Sequence, residues 1–257
     1  MGILDRFKMD GKKVYVTGAG RGIGKACAIA LCEAGAEVAF IAQHDDSAEA
    51  AAAEAAQKTG ARTVWYGADI SKPDEVEAMF GFVLKEFGTI DACFNNAGVC
   101  NAMEPAEDMP YEALQEIIQI NLVGTYLCCQ KAAKVMIPKG KGSILNMASM
   151  SAHIVNVPQK TSHYAMTKAG VVTMSKNLAA EWAPYGVRVN ALSPGYTMTE
   201  LAASFSQELI DQWKGLIPMG RLEDPDELAG TVLYFLSDAS TYTTGADVVV
   251  DGGYSLW

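Results

Sequence analysis

The sequence predicts an α/β protein with one domain, built on a doubly wound, seven-stranded parallel β-sheet with helices on both faces. Short apolar segments of strand length alternate with longer helical patterns, which is the order typical of a parallel sheet. The strand segments are apolar throughout, as expected where helices cover both faces of a sheet. Half of the 257 residues are hydrophobic and 19% are charged, so the chain can bury a large core.

Seven strands and six helices are predicted in alternating order. The strands fall at residues 14–17, 38–41, 63–66, 92–95, 143–147, 187–191 and 247–250. The helices fall at residues 23–34, 47–58, 73–87, 111–136, 162–183 and 225–236. The alanines of the second helix favour helix formation, and Ser71 with Pro73 predicts the start of the third. Pro138 predicts the end of the fourth.

The chain has no proline-rich linker, so we expect a single domain over residues 1–257. Its least regular region lies between Gly195 and Pro225, beyond the end of the sixth strand. A segment that covers a bound substrate belongs at this position in such a fold. Residues from about 196 to 224 are therefore a predicted lid.

Charge and cysteine usage argue against several classes of protein. A net charge of −10 disfavours a nucleic-acid partner. No run of about 18 apolar residues is present to span a membrane, and the N-terminal residues lack the apolar region of a secretory signal. The six cysteines show no C-x-x-C spacing, so we expect no zinc cluster and no bound metal. These features favour a cytoplasmic protein.

A glycine-rich segment at residues 17–24 reads Thr-Gly-Ala-Gly-Arg-Gly-Ile-Gly. It directly follows the first predicted strand and opens the first helix. Glycines at such a turn let the backbone approach a pyrophosphate, and the helix N-terminus supplies amide groups and a positive dipole. The segment predicts dinucleotide binding on a Rossmann-type fold, although its glycine spacing differs from the commoner G-x-G-x-x-G.

This spacing resembles that of the short-chain dehydrogenase/reductase family, and further motifs follow in the order typical of that family. They are Asn95-Asn96-Ala97-Gly98, Asn121, Ser149, Tyr164-x-x-x-Lys168 and Pro194-Gly195. Within the family the sequence is most similar to polyol dehydrogenases, sorbose-type ketose reductases and carbonyl reductases. That second resemblance depends on Ser-Met-Ser at 149–151, Ile-Val-Asn-Val-Pro-Gln at 154–159 and the terminal Trp257.

The resemblance implies a catalytic set of Asn121, Ser149, Tyr164 and Lys168. Tyr164 and Lys168 lie four residues apart, so they share one helix face. An ammonium group near a phenol favours the phenolate, so we expect Lys168 to lower the pKa of Tyr164. A lowered pKa would let Tyr164 donate and accept a proton near neutral pH. The resemblance also implies that Lys168 holds the nicotinamide ribose and that Asn121 holds a water linking Lys168 to solvent.

Two serines are candidates for the residue that polarises the substrate carbonyl. Ser149 is the first serine after the fifth strand, so strand register selects it. In many family members the serine precedes the tyrosine by thirteen positions, which selects Ser151 instead. We expect Ser149 to contact the reacting oxygen, with Ser151 and Asn156 nearer the rest of the substrate.

The end of the second strand bears on the choice between NAD and NADP. A carboxylate there usually binds the ribose 2′-hydroxyl of NAD and repels a 2′-phosphate. In this sequence Ala42 holds that position and Gln43 follows it, while Arg21 in the glycine loop supplies a cation. These features favour NADP(H). Asp45 and Asp46 are close in sequence and leave NAD(H) as the alternative.

The resemblance also assigns cofactor contacts by position. Asp69 would bind the adenine amino group, and Asn95 would lie beside the adenosine half. The expected cofactor-binding residues are Gly18, Arg21, Gly22, Ile23, Gly24, Gln43, Asp69, Ile70, Asn95, Ala97, Gly98, Tyr164, Lys168, Pro194, Gly195, Thr197 and Thr199.

The expected reaction is hydride transfer between NADP(H) and a ketone or secondary alcohol, with a ketose, polyol or related hydroxyketone as the small-molecule substrate. The alternatives are a non-catalytic nucleotide-binding sensor and a reductase of ketoacyl or steroid ketones. The helices at 111–136 and 162–183 carry apolar residues such as Ile117, Leu122, Val171 and Val172 on more than one face. Such helices need burial on more than one side. The resemblance implies that they pair across subunits in a homotetramer.

Overall fold

A computed structural model describes residues 2–100 and 104–257. It contains one seven-stranded sheet in which every pair of neighbouring strands is parallel. The strands are β1 (Lys13–Thr17), β2 (Glu37–Ala42), β3 (Thr63–Gly67), β4 (Ala92–Asn95), β5 (Gly142–Met147), β6 (Val187–Pro194) and β7 (Asp247–Val250). The predicted single-domain, doubly wound α/β fold is confirmed.

The helices cover both faces of this sheet. They are α1 (Gly22–Glu33), α2 (Asp45–Thr59), α3 (Pro73–Phe87), α4 (Tyr111–Ile118), α5 (Thr125–Lys139), α6 (Ser162–Trp182), α7 (Glu200–Ala203), α8 (Gln207–Leu216) and α9 (Ala229–Leu236). Alternate residues of β1 enter different cores: Val14 and Val16 pack with α1 and α9, while Tyr15 packs with α3 and α5. This explains why the strand segments are apolar throughout.

Two residues predicted to mark helix ends do not do so in the structure. Ser71 does not cap α3, because Lys72 occupies the position before the helix and the Ser71 hydroxyl donates to Asp69 Oδ1 at 2.7 Å. Pro138 does not end the fourth predicted helix, which continues to Lys139. The helix ends where Gly140 adopts a positive φ of 66°, a conformation that glycine adopts without steric cost.

The order of strands in the sheet is β3-β2-β1-β4-β5-β6-β7. From β1 the chain moves outward through β2 and β3, and then returns to place β4 on the other side of β1. This reversal is the topological switch point at which open α/β sheets bind ligands, outside the carboxyl ends of their strands.

The predicted lid contains two short helices, α7 and α8, which pack with Met150 and Tyr254 in a small apolar cluster of their own. Both ends of the segment meet at its base: the Met198 amide donates to the Glu223 carbonyl, and the Glu223 amide donates to the Tyr196 carbonyl. The two ends of the segment are thus hydrogen-bonded to each other, and its helices pack in a cluster separate from the two main cores. Within the described part of the chain, no helix has the length and apolarity needed to cross a membrane.

Candidate active site

A cavity of about 630 Å³ opens at the switch point between β1 and β4. It brings together most of the residues that the sequence predicts for the site. These are Gly18, Arg21, Gly22, Ile23, Gly24, Gln43, Asp69, Ile70, Ala97, Gly98, Ser149, Tyr164, Lys168, Pro194, Gly195 and Thr199. We call this space the cofactor cavity.

The glycine loop between β1 and α1 leaves no room for side chains. A Cβ atom on Gly24 would lie 2.2 Å from the Gly18 carbonyl oxygen and 2.4 Å from Asn96 Nδ2. Gly18 has a positive φ of 67°, and its own Cβ would meet Asn96 Nδ2 at 2.8 Å. Close packing of this loop places the N-terminal turn of α1 in the cavity wall, where its free amide groups favour an anion.

Ser149, Tyr164 and Lys168 meet at another part of the cofactor cavity. Lys168 is buried on α6, and its Nζ donates to the carbonyl of Met147 at 2.9 Å. The same Nζ lies 5.6 Å from the centre of the Tyr164 ring. An ammonium group has three N–H donors, so Lys168 keeps two for a ligand. The arrangement puts a phenol, a hydroxyl and an amine in the wall of one cavity.

The expectation that Lys168 lowers the pKa of Tyr164 is wrong for this structure. Burial raises the pKa of Tyr164 well above its ordinary value, and the nearby Ser149 hydroxyl opposes that shift only in part. Burial also lowers the pKa of Lys168 to about 8. Desolvation by burial is the largest cause of both shifts, because it disfavours the charged form of each group. Tyr164 therefore carries its proton at neutral pH, as a proton donor must.

Asn121 lies behind the cavity wall rather than in it. It belongs to a π-helical segment (Gln119–Gly124) between α4 and α5. Its amide donates to the Val99 carbonyl and accepts from the Val99 amide, both at 2.8 Å. Asn121 thereby ties this helix to the loop after β4. A Cβ on Gly98 would lie 3.1 Å from Asn121 Oδ1 and 3.3 Å from Lys168 Nζ, so the two side chains are neighbours.

Two further predicted cofactor residues also lie outside the cavity wall. Asn95 is buried at the end of β4, where it accepts from the Tyr15 hydroxyl at 2.9 Å and donates to Asn146 Oδ1 at 2.8 Å. Thr197 is buried at the base of the predicted lid, where its hydroxyl donates to Glu223 Oε2 at 3.2 Å. The structure therefore places neither side chain in the wall of the cofactor cavity.

Ser151 and Asn156 line a second cavity of about 620 Å³, which we call the loop cavity because the segments before α4 and α6 form it. Each of the two candidate serines lines a different cavity, and the two are hydrogen-bonded to each other. Ser149 Oγ donates to Ser151 Oγ at 3.0 Å and accepts from the Ser151 amide at 3.1 Å. The structure thus separates the two candidates: Ser149 faces the cofactor cavity and Ser151 faces the loop cavity.

The carboxyl end of β2 borders the cofactor cavity with Ala42, Gln43 and His44, and Arg21 of the glycine loop lines the same cavity. A Cβ on Gly20, next to Arg21, would lie 3.2 Å from Ala42 Cβ, so the loop lies against the end of β2. Asp45 belongs to α2 but is not in this wall, because its Oδ1 accepts from the Gly67 amide at 2.7 Å. None of the described residues at the end of β2 itself is acidic. Asp69, which also lines the cavity, follows β3, and its Oδ1 accepts from the Ser71 amide and hydroxyl. The geometry leaves the position beside Ala42 open to an anionic group.

Sequence reasoning missed several residues of the cofactor cavity. Ser47 reaches it from the first turn of α2, Cys100 from the loop after β4, and Glu200 and Leu201 from α7. Local pattern carried no signal for Ser47 or Leu201, because tertiary packing brings them to the cavity. Cys100 directly follows the Asn-Asn-Ala-Gly-Val segment, so its place beside Gly98 was open to prediction.

The residues that line the cavity suit the parts of a dinucleotide. The crowded glycine loop and the first turn of α1 suit the pyrophosphate, and the end of β2 suits the adenosine ribose. Lys168 has free donors for ribose hydroxyls, and Tyr164 and Ser149 lie in the same wall. These residues can bind a nicotinamide cofactor and can hold a substrate oxygen beside it.

Comparison with known proteins agrees with this geometry. A sequence profile of the family described as Enoyl-(Acyl carrier protein) reductase matches residues 18–255. A probable NADP-dependent mannitol dehydrogenase of Yarrowia lipolytica is 42% identical over 98% of this chain and 90% of its own. An NADH-dependent L-xylulose reductase of Ambrosiozyma monospora is 38% identical over 99% of this chain and 98% of its own.

A solved structure extends the similarity to three dimensions. The NADPH-dependent 3-quinuclidinone reductase of Rhodotorula rubra is 36% identical, with a TM-score of 0.94 over 100% of this chain and 96% of its own. The fold, cavity and relatives define a pyridine-nucleotide-dependent oxidoreductase that acts on CH–OH groups. The chain belongs to the short-chain dehydrogenase/reductase family, among relatives that include polyol dehydrogenases and ketose reductases.

Proposed function

We propose that this enzyme interconverts a ketose, or a related hydroxyketone, and the corresponding polyol with NADP(H). One observation carries the proposal. The Ser149 hydroxyl lies in the cofactor cavity and is hydrogen-bonded to Ser151, which lines a second cavity whose wall carries both apolar and polar groups. A substrate carbonyl at Ser149 and Tyr164 can therefore extend a hydroxylated chain past Ser151.

The bound nicotinamide supplies or accepts the hydride. In the direction of reduction, Tyr164 gives its proton to the substrate oxygen, and its raised pKa keeps that proton in place until charge develops there. Ser149 donates a hydrogen bond to the same oxygen. Lys168 binds the ribose through its free donors. Asn121 positions the loop after β4 beside Lys168 and helps to resupply the proton through water.

The preference for NADP(H) follows from the end of β2. Ala42 leaves space there, Asp45 is held away by Gly67, and Arg21 supplies a positive charge at the rim. A 2′-phosphate would gain from that charge and would meet no carboxylate at the end of β2 itself. The other proposed cofactor contacts are the predicted residues that line the cavity, from Gly18 to Thr199.

The segment of residues 196–224 is proposed to act as the substrate lid, because α7 places Glu200 and Leu201 in the cavity wall.

We also propose a cytoplasmic location. The six cysteines are free thiols, and free thiols persist in a reducing compartment.

A panel of substrates tests the proposal. Oxidation of NADPH and NADH is followed at saturating and limiting concentrations of a ketose, a diketone, a plain ketone and a ketoacyl thioester. We expect the highest kcat/KM with NADPH and the ketose. A preference for the thioester would favour the ketoacyl alternative, and no turnover with any carbonyl would favour the sensor.

A further inference from the structure

Asn156 lies in the wall of the loop cavity, and one end of its side-chain amide has no hydrogen-bond partner among the described residues. The side chain is 6% exposed, and its Nδ2 donates to the Tyr196 hydroxyl at 3.3 Å. Its Oδ1 is buried and has no hydrogen-bond partner among the residues that the structure describes. Exchanging the oxygen and nitrogen of the amide would leave the NH₂ group unpaired instead. In either orientation one end of a buried amide has no partner among the described residues, and such a group is costly to leave unpaired.

The amide is held in place by its neighbours. The Tyr196 hydroxyl, which accepts from Asn156, itself donates to Gln159 Oε1. The Tyr196 ring is stacked on Trp213, with 4.3 Å between ring centres and 9° between planes, and meets Tyr254 edge to face at 5.4 Å. The free end of the Asn156 amide therefore has a fixed position, and a ligand that binds it does not need to order it.

The position of Asn156 relates it to the reacting centre. Asn156, Gln159 and Ser151 line the same cavity, and Ser151 is hydrogen-bonded to Ser149. If the carbonyl of a substrate lies at Ser149, the carbon next to that carbonyl would lie beside Ser151. Atoms farther along its chain would then lie in the loop cavity with Asn156.

The wall of the loop cavity combines apolar side chains with polar groups that carry no net charge, which favours an uncharged ligand. Lys160 and Glu107 both line it, so their formal charges cancel, and His153 faces Asp247 at 2.7 Å. A hydroxyl group both donates and accepts, so it satisfies the free end of the Asn156 amide in either orientation. A plain ketone has no such group to offer.

We infer that Asn156 binds a substrate hydroxyl located beyond the carbon next to the reacting carbonyl, and thereby selects polyhydroxylated open-chain ketones. The inference rests on the proposed function and adds a specificity-determining residue to it. It assigns different hydroxyls to Ser151 and Asn156: the one beside the carbonyl to Ser151, and a more distant one to Asn156.

The test is the kcat/KM of the full-length enzyme with NADPH for 2-butanone, 1-hydroxy-2-butanone and erythrulose. These ketones share four carbons and carry none, one and three hydroxyls. For the wild-type enzyme we expect kcat/KM to rise from 2-butanone to 1-hydroxy-2-butanone and again to erythrulose. This comparison needs no variant. In Asn156→Ala the ratio of erythrulose to 1-hydroxy-2-butanone should fall about ten-fold, mainly through the KM for erythrulose, since one neutral hydrogen bond is lost.

Two further variants separate a contact with substrate from a structural role. Asn177→Ala removes an exposed amide on α6 that donates only to the Thr173 carbonyl, and it should keep the wild-type ratio. Tyr196→Phe removes the hydroxyl that anchors Asn156 but retains the free amide, so the ratio should fall less than in Asn156→Ala. Thermal melting and titration with NADPH fluorescence report the fold of each variant.

The inference is overturned if Asn156→Ala keeps the wild-type ratio, or if Tyr196→Phe lowers that ratio as much as Asn156→Ala does. If the wild-type enzyme is active, either result contradicts this inference but not the proposed function. A wild-type enzyme that reduces none of these ketones with NADPH contradicts the proposed function, and the inference with it.

Discussion

Ser149 and Ser151 lie two residues apart, yet they face different cavities. The sequence offered two ways to choose between them, strand register and the count back from Tyr164, and the two disagreed. The structure gives each serine its own surroundings, with a 3.0 Å hydrogen bond between them. Local pattern could not settle this, because the direction of each side chain depends on the short helical turn at Met150–Ala152.

Replacing Ser149 by alanine should lower kcat for every carbonyl substrate, because it removes the donor at the reacting oxygen. Loss of one such donor typically costs roughly 10²–10³ in kcat. Ser151→Ala is the matched control: it should mainly raise KM, and mainly for ketones with a hydroxyl beside the carbonyl. Steady-state kinetics on 1-hydroxy-2-butanone and 2-butanone check both. A general loss of kcat in Ser151→Ala, with Ser149→Ala active, would reverse the two roles.

Ala42 is the residue at which a single side chain should change the cofactor preference. Aspartate there would repel a 2′-phosphate and accept from a 2′-hydroxyl. In Ala42→Asp we expect the ratio of kcat/KM for NADPH to that for NADH to fall at least about ten-fold, a change of roughly 1.4 kcal/mol. Ala53→Asp adds the same charge at an exposed position on α2 and should leave the ratio near its wild-type value. An unchanged ratio in Ala42→Asp would place the 2′-phosphate elsewhere.

At the scale of elements, the alternation of strands and helices was predictable from apolar periodicity. The break in the long helix between Tyr111 and Lys139 was not predictable from that periodicity. Its middle is a π-helical segment, whose frame is supported by a hydrogen bond from Thr125 Oγ1 to the Asn121 carbonyl at 2.9 Å. A mid-helix asparagine was the one available signal. Such π segments often mark functional sites, and here the segment turns Asn121 toward the loop after β4.

Glu223 lies at the base of the predicted lid, where it joins the two ends of the segment. Burial raises the pKa of this carboxyl to about 7, above its ordinary 4.5, while the hydrogen bond from Thr197 opposes the shift. Between those two values the folded protein holds a proton that the unfolded chain releases. The ionised carboxyl therefore costs stability progressively as pH rises from about 4.5 to 7, and the full cost remains above that range.

Glu223→Gln keeps the shape of the side chain but cannot ionise. It should raise the free energy of unfolding at pH 8 by on the order of 2 kcal/mol, a value reduced to allow for solvent screening of this partly exposed group, and change it little at pH 4.5. Urea unfolding at the two pH values measures this difference. Glu208→Gln, at an exposed site on α8, is the control and should show no pH-dependent gain. An equal effect of Glu223→Gln at both pH values would show that the carboxyl is not protonated in the folded state.

At the scale of the whole molecule, the site draws on segments spread over most of the chain. The motifs named most of the cavity residues in advance, since carboxyl ends of parallel strands meet at one edge of the sheet. They also named Asn95 and Thr197, which pack behind the wall because their polar groups find partners in Tyr15, Asn146 and Glu223. Which face such a residue presents depends on long-range contacts that motif spacing does not encode.

A homotetramer remains a prediction, and the structure changes its basis. Ile117, Val171 and Val172 are buried within the single chain, so they do not require a partner. Exposed apolar side chains remain on the same helices, including Tyr126 on α5 and Met166 on α6. Sedimentation velocity at micromolar concentration should report four chains, and Tyr126→Glu with Met166→Glu should lower that number. A monomeric wild-type protein would contradict the prediction.

We propose above that Tyr164 passes a proton to the substrate oxygen at the nicotinamide site. The most direct test is the kcat of Tyr164→Phe for ketose reduction with NADPH, with cofactor affinity measured separately by fluorescence titration. We predict a loss of at least ~10²–10⁴-fold in kcat with nearly unchanged affinity for NADPH. Tyr185→Phe, which removes an exposed hydroxyl after α6, should keep wild-type kcat. Near-normal turnover by a folded Tyr164→Phe enzyme would contradict the account, because another group would then supply the proton.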